Sequence, residues 1–195
     1  KGLDYSSYQQ HRPTYDIYVK AIERKHPGKP SFFEDRFRIR KKGYPKKDYN
    51  PEMTRRGMWH STLAGGAANI WGHLNRPTDH LLSAPQSDAS ITYPNKKQLL
   101  TWSGFWKNRF KKEMVRDNSI TDGMCLRVAN SFYVFYKEDC SSIEMDLSKM
   151  DGPHRAIAVD AKKAYQEIRL GNFESANQVF SAPYESDWAL AVGTP

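Results

Sequence analysis

The stretch KPSFFEDRFRIR, Lys29 to Arg40, sets two adjacent carboxylates, Glu34 and Asp35, at the end of an aromatic run. Ser31, Phe32 and Phe33 suit a pleated, buried strand. A carboxylate delivered by such a strand can attack a substrate or exchange a proton with it. Seven of the twelve residues from Arg36 to Lys47 are Lys or Arg. Arg36, Arg38 and their neighbours could hold sulfate or carboxylate groups through charge-assisted hydrogen bonds. Two readings stand. Either the strand brings a working acid to a site, or it leaves the core for a solvated loop in which Glu34 is a counter-ion of Arg36 or Arg38.

Other chemistries find little footing. Cys125 and Cys140 form neither a CxxC pair nor a metal-ligand cluster, so no metal is expected. Whether they form a disulfide stays open. No Gly-rich phosphate loop, zincin motif or Ser/His/Asp order stands out. The net charge of +8 and pI near 9.4 favour acidic partners. No recognisable nucleic-acid-binding module accompanies that charge, so nucleic acid is not the expected partner.

Positioning such a site requires a folded scaffold. The chain has 195 residues, 27% charged and 13% aromatic, a globular composition of one or two domains. No apolar run approaches the ~18 residues of a membrane span. The first residues, KGLDYSSYQQHRP, lack the apolar core of a signal peptide.

Up to about Asp117 the chain alternates strand-like and helix-like runs. GLDYSSYQQH reads as a strand with a polar end carrying Gln10 and His11. Pro13 suits the first turn of a helix in which Tyr15, Tyr18, Val19 and Ile22 recur at helical spacing. SFFED is the second strand. Asn50, Pro51 and Glu52 read as cap, first turn and dipole partner of a helix running to Gly65–Gly66. AANIWG is a third strand, with small Ala67 and Ala68 allowing close packing, Trp71 at its end and His73 just beyond. Gly72 to Asn95 is a long irregular stretch. Leu99, Trp102, Trp106, Phe110 and Met114 mark one stripe of a last amphipathic helix. From about Ile120 the texture changes to short alternating runs: MCLRVAN, SFYVFYKE, SSIEMDL, RAIAVD, AYQEIRL, QVFSA and DWALAVG. This spacing predicts an antiparallel β-sandwich, with Phe135 and Trp188 in or near its core. The expected division is 1–118 for the strand–helix units and 119–195 for the β module. Strand–helix alternation implies parallel strands, either a small open sheet or the last units of an eight-fold barrel.

EMTRRGMWHSTLAGGAANIWGH resembles the helix-7 and strand-8 region of bacterial glycoside hydrolases built on a (β/α)8 TIM barrel, the apiosidase-like enzymes of or near the retaining clan A. The shared pattern is paired arginines, an aromatic, an LAGGA turn and an aromatic-glycine strand end. KPSFFED is similar to the preceding strand 7, which ends in a carboxylate. The tail from DLSKMDGPHRAIAVD to DWALAVG is similar to the β-sandwich that often follows this barrel and carries a collagen-binding label. The resemblance runs from about Leu3 to Val192 and places the chain at strands 6–8. Strands 1–5 would lie outside it, and with them the strand-4 acid/base carboxylate.

The resemblance implies a retaining hydrolase acting on a polysaccharide, with Glu34 as the catalytic nucleophile and no cofactor. Asp35, on the opposite pleat face, would hold a neighbouring arginine. Gln10, His11, Arg36, Arg38, Trp71 and His73 are the expected substrate-binding residues. Trp71 would floor a sugar ring, with core packing as its alternative, and a solvated loop is the alternative for His73. His60 and Trp59 lie within a helix and are expected to be structural. A basic rim would favour a sulfated or uronic polymer. The partner expected besides substrate is the missing N-terminal part of the barrel or another chain, and the expected location is secreted or periplasmic. The rival reading is a non-catalytic carbohydrate-binding or basic surface-attachment protein.

Overall fold

The computed structural model describes residues 5–8, 14–24, 29–33, 50–69 and 95–195. Three short strands come first: β1 (Ser6–Tyr8), β2 (Ser31–Phe33) and β3 (Ala68–Asn69). They alternate with helices α1 (Tyr15–Glu23), α2 (Pro51–Leu63) and α3 (Lys96–Trp106). The strands lie in the order β1-β2-β3 and pair in parallel. Tyr8 stands opposite Phe33, and Phe33 opposite Asn69.

Helix α1 buries the stripe that its spacing implies. Tyr18 is fully buried, and Tyr15, Val19 and Ile22 pack around it with Phe33 and Met58. Its expected first-turn Pro13 lies outside the described residues. Helix α2 starts as its cap residues dictate: Asn50 Oδ1 accepts from the Met53 N–H at 2.7 Å, and Pro51 opens the first turn. It ends where Gly65 takes a left-handed conformation, φ +104°. The close approach visible after this turn falls at Gly66, where a Cβ would collide with the Phe33 ring.

Helix α3 is shorter than the apolar stripe. It stops at Trp106, and Asn108 is left-handed at φ +66°. Phe110 and Met114, expected to continue the helix, lie beyond it. They still pack with Trp106 against the same apolar cluster, so the period outlasts the backbone.

The remainder is one hydrogen-bonded antiparallel sheet of six strands. Its members are β4 (Val115–Arg116), β5 (Met124–Val128), β6 (Phe132–Asp146), β7 (His154–Asp160), β8 (Ile168–Phe173) and β9 (Asn177–Gly193), in the order β4-β5-β6-β9-β7-β8. SFYVFYKE and SSIEMDL, read as two strands, are one strand of 15 residues, β6. QVFSA and DWALAVG likewise merge into β9, of 17 residues. The polar residues between the paired runs mark irregularities in the β6–β9 ladder at Lys137/Cys140 and Cys140/Ser142. A bulge lets a strand bend and continue where its sequence imitates a turn.

Both sheet faces are covered. One carries Ile120, Tyr133, Phe135, Ile143, Leu147, Phe180, Trp188 and Leu190 in a core made by the sheet itself. Phe135 and Trp188 are fully buried there. The other face, with Leu126, Phe132, Val134, Tyr136 and Ala189, packs against Trp59 and Leu63 of α2 and Phe105 and Trp106 of α3. Cys125 and Cys140 are free and buried. Among the described residues no helix is long and apolar enough to cross a membrane.

Candidate active site

Parallel pairing sets the carboxyl-terminal ends of β1, β2 and β3 side by side at one edge, in the row Tyr8–Phe33–Asn69. The sequence-derived site residues follow this row in the chain. Gln10 and His11 come two and three residues after Tyr8, Glu34 directly after Phe33, and Trp71 two residues after Asn69. Gln10, His11, Glu34, Arg36, Arg38, Trp71 and His73 all lie outside the described residues. The structure therefore describes the scaffold of strand ends that these residues adjoin in sequence.

That scaffold is tightly specified. Phe33 is fully buried, edge-on to Tyr18 at 4.7 Å and to Tyr8 at 5.8 Å between ring centroids. Both Phe33 and Asn69 turn toward the helices. Phe33 meets α1 and the Gly66 turn, while Asn69 Oδ1 accepts from the Ser61 hydroxyl of α2. The Gly66 N–H donates to the Ser61 carbonyl at 2.9 Å, closing the link from α2 into β3.

Helix α2 is held in turn by the antiparallel sheet. Asp187 of β9 is completely buried. Arg55 donates to its Oδ2 from Nε at 3.1 Å and from Nη2 at 2.8 Å. Arg56 donates to both carboxylate oxygens, each at 3.2 Å. The Asp139 N–H adds a bond at 3.0 Å, and the Lys162 ammonium lies 3.2 Å away. Burial pushes the Asp187 carboxyl up, but the bonds from Arg56, the Asp139 N–H and Arg55 outweigh it and hold it well below the usual carboxylate range. One turn along α2, Trp59 stacks on Tyr136 at 4.9 Å, and His60 Nε2 lies 2.7 Å from Glu138 Oε1. Trp59 and His60 thus have structural contacts, as expected.

Sequence reasoning did not single out Asp187, Glu138, Asp139 or Lys162. The available signal was an isolated acid opening the run DWALAV, which implies a buried carboxylate in need of a cation. Among the described residues no group of three or more His, Cys, Asp or Glu side chains could hold a metal ion.

No family model matches the chain, and no curated protein matches it. Solved structures do. A glycoside hydrolase family 5 protein from Bacteroides vulgatus superposes with TM-score 0.72 at 18% identity, covering 98% of this chain and 50% of that one. A second structure, described as a glycoside hydrolase, gives TM-score 0.68 at 15% identity, covering 98% and 52%. The chain has a partial glycoside hydrolase-like fold. It spans about half the length of these two structures.

Proposed function

We propose that this chain is the carboxyl-terminal part of a retaining glycoside hydrolase, with Glu34 as its nucleophile. The observation that carries the reading is the level row of parallel strand ends, in a fold shared with half of two glycoside hydrolase structures. In this reading β1, β2 and β3 are strands 6–8 of a (β/α)8 barrel, and the antiparallel sheet is the accessory β-sandwich. Barrel sites gather at the carboxyl ends of the strands. Phe33 faces the helices, and side chains alternate along a strand, which supports reading the residue after it as one turned away from them. That supports Glu34 for the chemistry and Asp35 for support.

The reaction is a double displacement. The Glu34 carboxylate attacks the anomeric carbon as the bond to the leaving oxygen breaks, and a carboxylic acid supplied outside this chain protonates that oxygen. Water, deprotonated by the same group, then releases the sugar from Glu34. The two carboxyl groups would stand about 5–5.5 Å apart. Gln10, His11, Trp71 and His73 are the proposed sugar contacts. Arg36 and Arg38 begin a strongly basic segment, which supports a sulfated or uronic polysaccharide as substrate. Such a polymer is met outside the cell or in the periplasm, where we place the enzyme.

The test uses the enzyme with its barrel complete. Glu34→Ala should lose turnover, and azide should restore part of it by entering the space that the side chain vacates and displacing the leaving oxygen at the anomeric carbon, giving a glycosyl azide of inverted configuration. Absence of that product, with substrate binding intact, would remove Glu34 from the nucleophile's role.

A further inference from the structure

The paired arginines of the RRGMWH motif have no place in the proposed chemistry, yet they make the most elaborate polar contact among the described residues. Arg55 and Trp59 are four residues apart on α2, as are Arg56 and His60, so the motif forms two adjoining ridges on the helix. Each side chain meets the sheet. Arg55 and Arg56 reach Asp187, Trp59 stacks on Tyr136, and His60 meets Glu138. Arg56 is also bonded to Asp139 and Glu52. The next turn of α2 supplies Ser61, which bonds Asn69 at the end of β3. The turn that follows presses Gly66 against Phe33, the last residue of β2.

We propose that Asp187 is a positioning residue. From the antiparallel sheet it fixes α2, and through Ser61 and Gly66 it fixes the carboxyl-terminal ends of β2 and β3, from which Glu34 and Trp71 follow. The sheet is then a working part of the site rather than an independent appendage. This rests on the glycoside hydrolase reading for its functional meaning, while the mechanical coupling stands apart from it. A buried carboxylate suits the task because its strength depends on position. Two guanidinium forks bonding one carboxylate fix helix and strand in both distance and angle. Loss of the negative charge leaves the buried Arg55 facing a neutral amide and removes one carboxylate from Arg56, which keeps Asp139 and Glu52; the uncompensated Arg55 favours a displacement of α2.

Amide hydrogen exchange on the chain itself tests the coupling without recourse to activity. Asp187→Asn is compared with Ile143→Ala, a cut into the core on the sheet's other face. Both are measured well below their melting temperatures. Exchange at Phe33 and Asn69 should accelerate about tenfold or more in Asp187→Asn and by less than about twofold in Ile143→Ala. Should Asp187→Asn not fold, Arg56→Gln, which spares the Arg55 pair, should show the same pattern at smaller size. In the complete enzyme Asp187→Asn should lower kcat with KM nearly unchanged. Equal acceleration in the two variants, or none at β2 and β3 in Asp187→Asn and Arg56→Gln, would overturn the proposal. Accelerated exchange in a protein that cleaves no glycoside would leave the coupling intact and defeat only the reading of the reaction.

Discussion

The strand–helix region and the antiparallel sheet are built on opposite terms. The sheet has central strands of 15 and 17 residues and cores on both faces, one of them made from its own strands. The parallel strands have three, three and two residues, and β1 and β3 each pair on one side only among the described residues. Three parallel strands cannot close a barrel, and open edges need a partner or a cover. The helices of this region make up the deficit by packing Trp59, Leu63, Phe105 and Trp106 onto the sheet. The part that carries the proposed chemistry is therefore the part that does not stand alone. The proposal sets the reactive side chains in the strand–helix region and the larger cores in the sheet, with α2 as the link.

The strongest way to break this contrast is to remove the link's apolar half. Trp59 is fully buried and stacked on Tyr136 with the rings 4° from parallel. Trp59→Ala should cost about 3–5 kcal/mol. Its helical signal at 222 nm should be lost at lower denaturant than the tertiary signal of the sheet. A single coincident transition would show that the two regions stand and fall together.

The polar half of the link responds to acid. Asp187 has a depressed folded-state pKa, so its stabilisation is complete above the ordinary carboxylate value of 3.8 and is lost as pH falls through the folded value. Denaturant titrations at successively lower pH below 4 should show stability falling in the native protein and falling less steeply in Asp187→Asn. Parallel pH profiles would mean that other carboxylates govern the acid transition. A smaller adjustment lies at the helix start. Asn50→Ala should cost about 1 kcal/mol, read as a lower denaturation midpoint with an unchanged slope.

Local rules made much of this legible. The cap at Asn50, the α1 stripe and the three strand–helix alternations follow from residue type and spacing, because each depends on neighbours within a few positions. The errors came where tertiary context decides. Phe110 and Met114 keep a helical period beyond the end of α3, since burial selects apolar side chains whatever the backbone does. The bulges in β6 and β9 look like turns, because an irregular ladder tolerates the polar and proline residues that turns use. Asp187 was invisible as a partner of Arg55, 132 residues away in the chain. For the site, the aromatic run SFF revealed the strand, while the residues expected to act on substrate lie outside the described part of the molecule.

In the proposed reaction β2 leads into the nucleophile, Glu34. The decisive measurement is the turnover of Glu34→Gln beside Asp35→Asn in the proposed enzyme with its barrel complete. Glutamine keeps the shape of the side chain and removes its nucleophilic anion. Glu34→Gln should lose at least about 10³-fold in kcat with substrate binding retained, and Asp35→Asn much less. Near-normal turnover by Glu34→Gln would contradict that role and leave Glu34 as a counter-ion of the arginines that follow it.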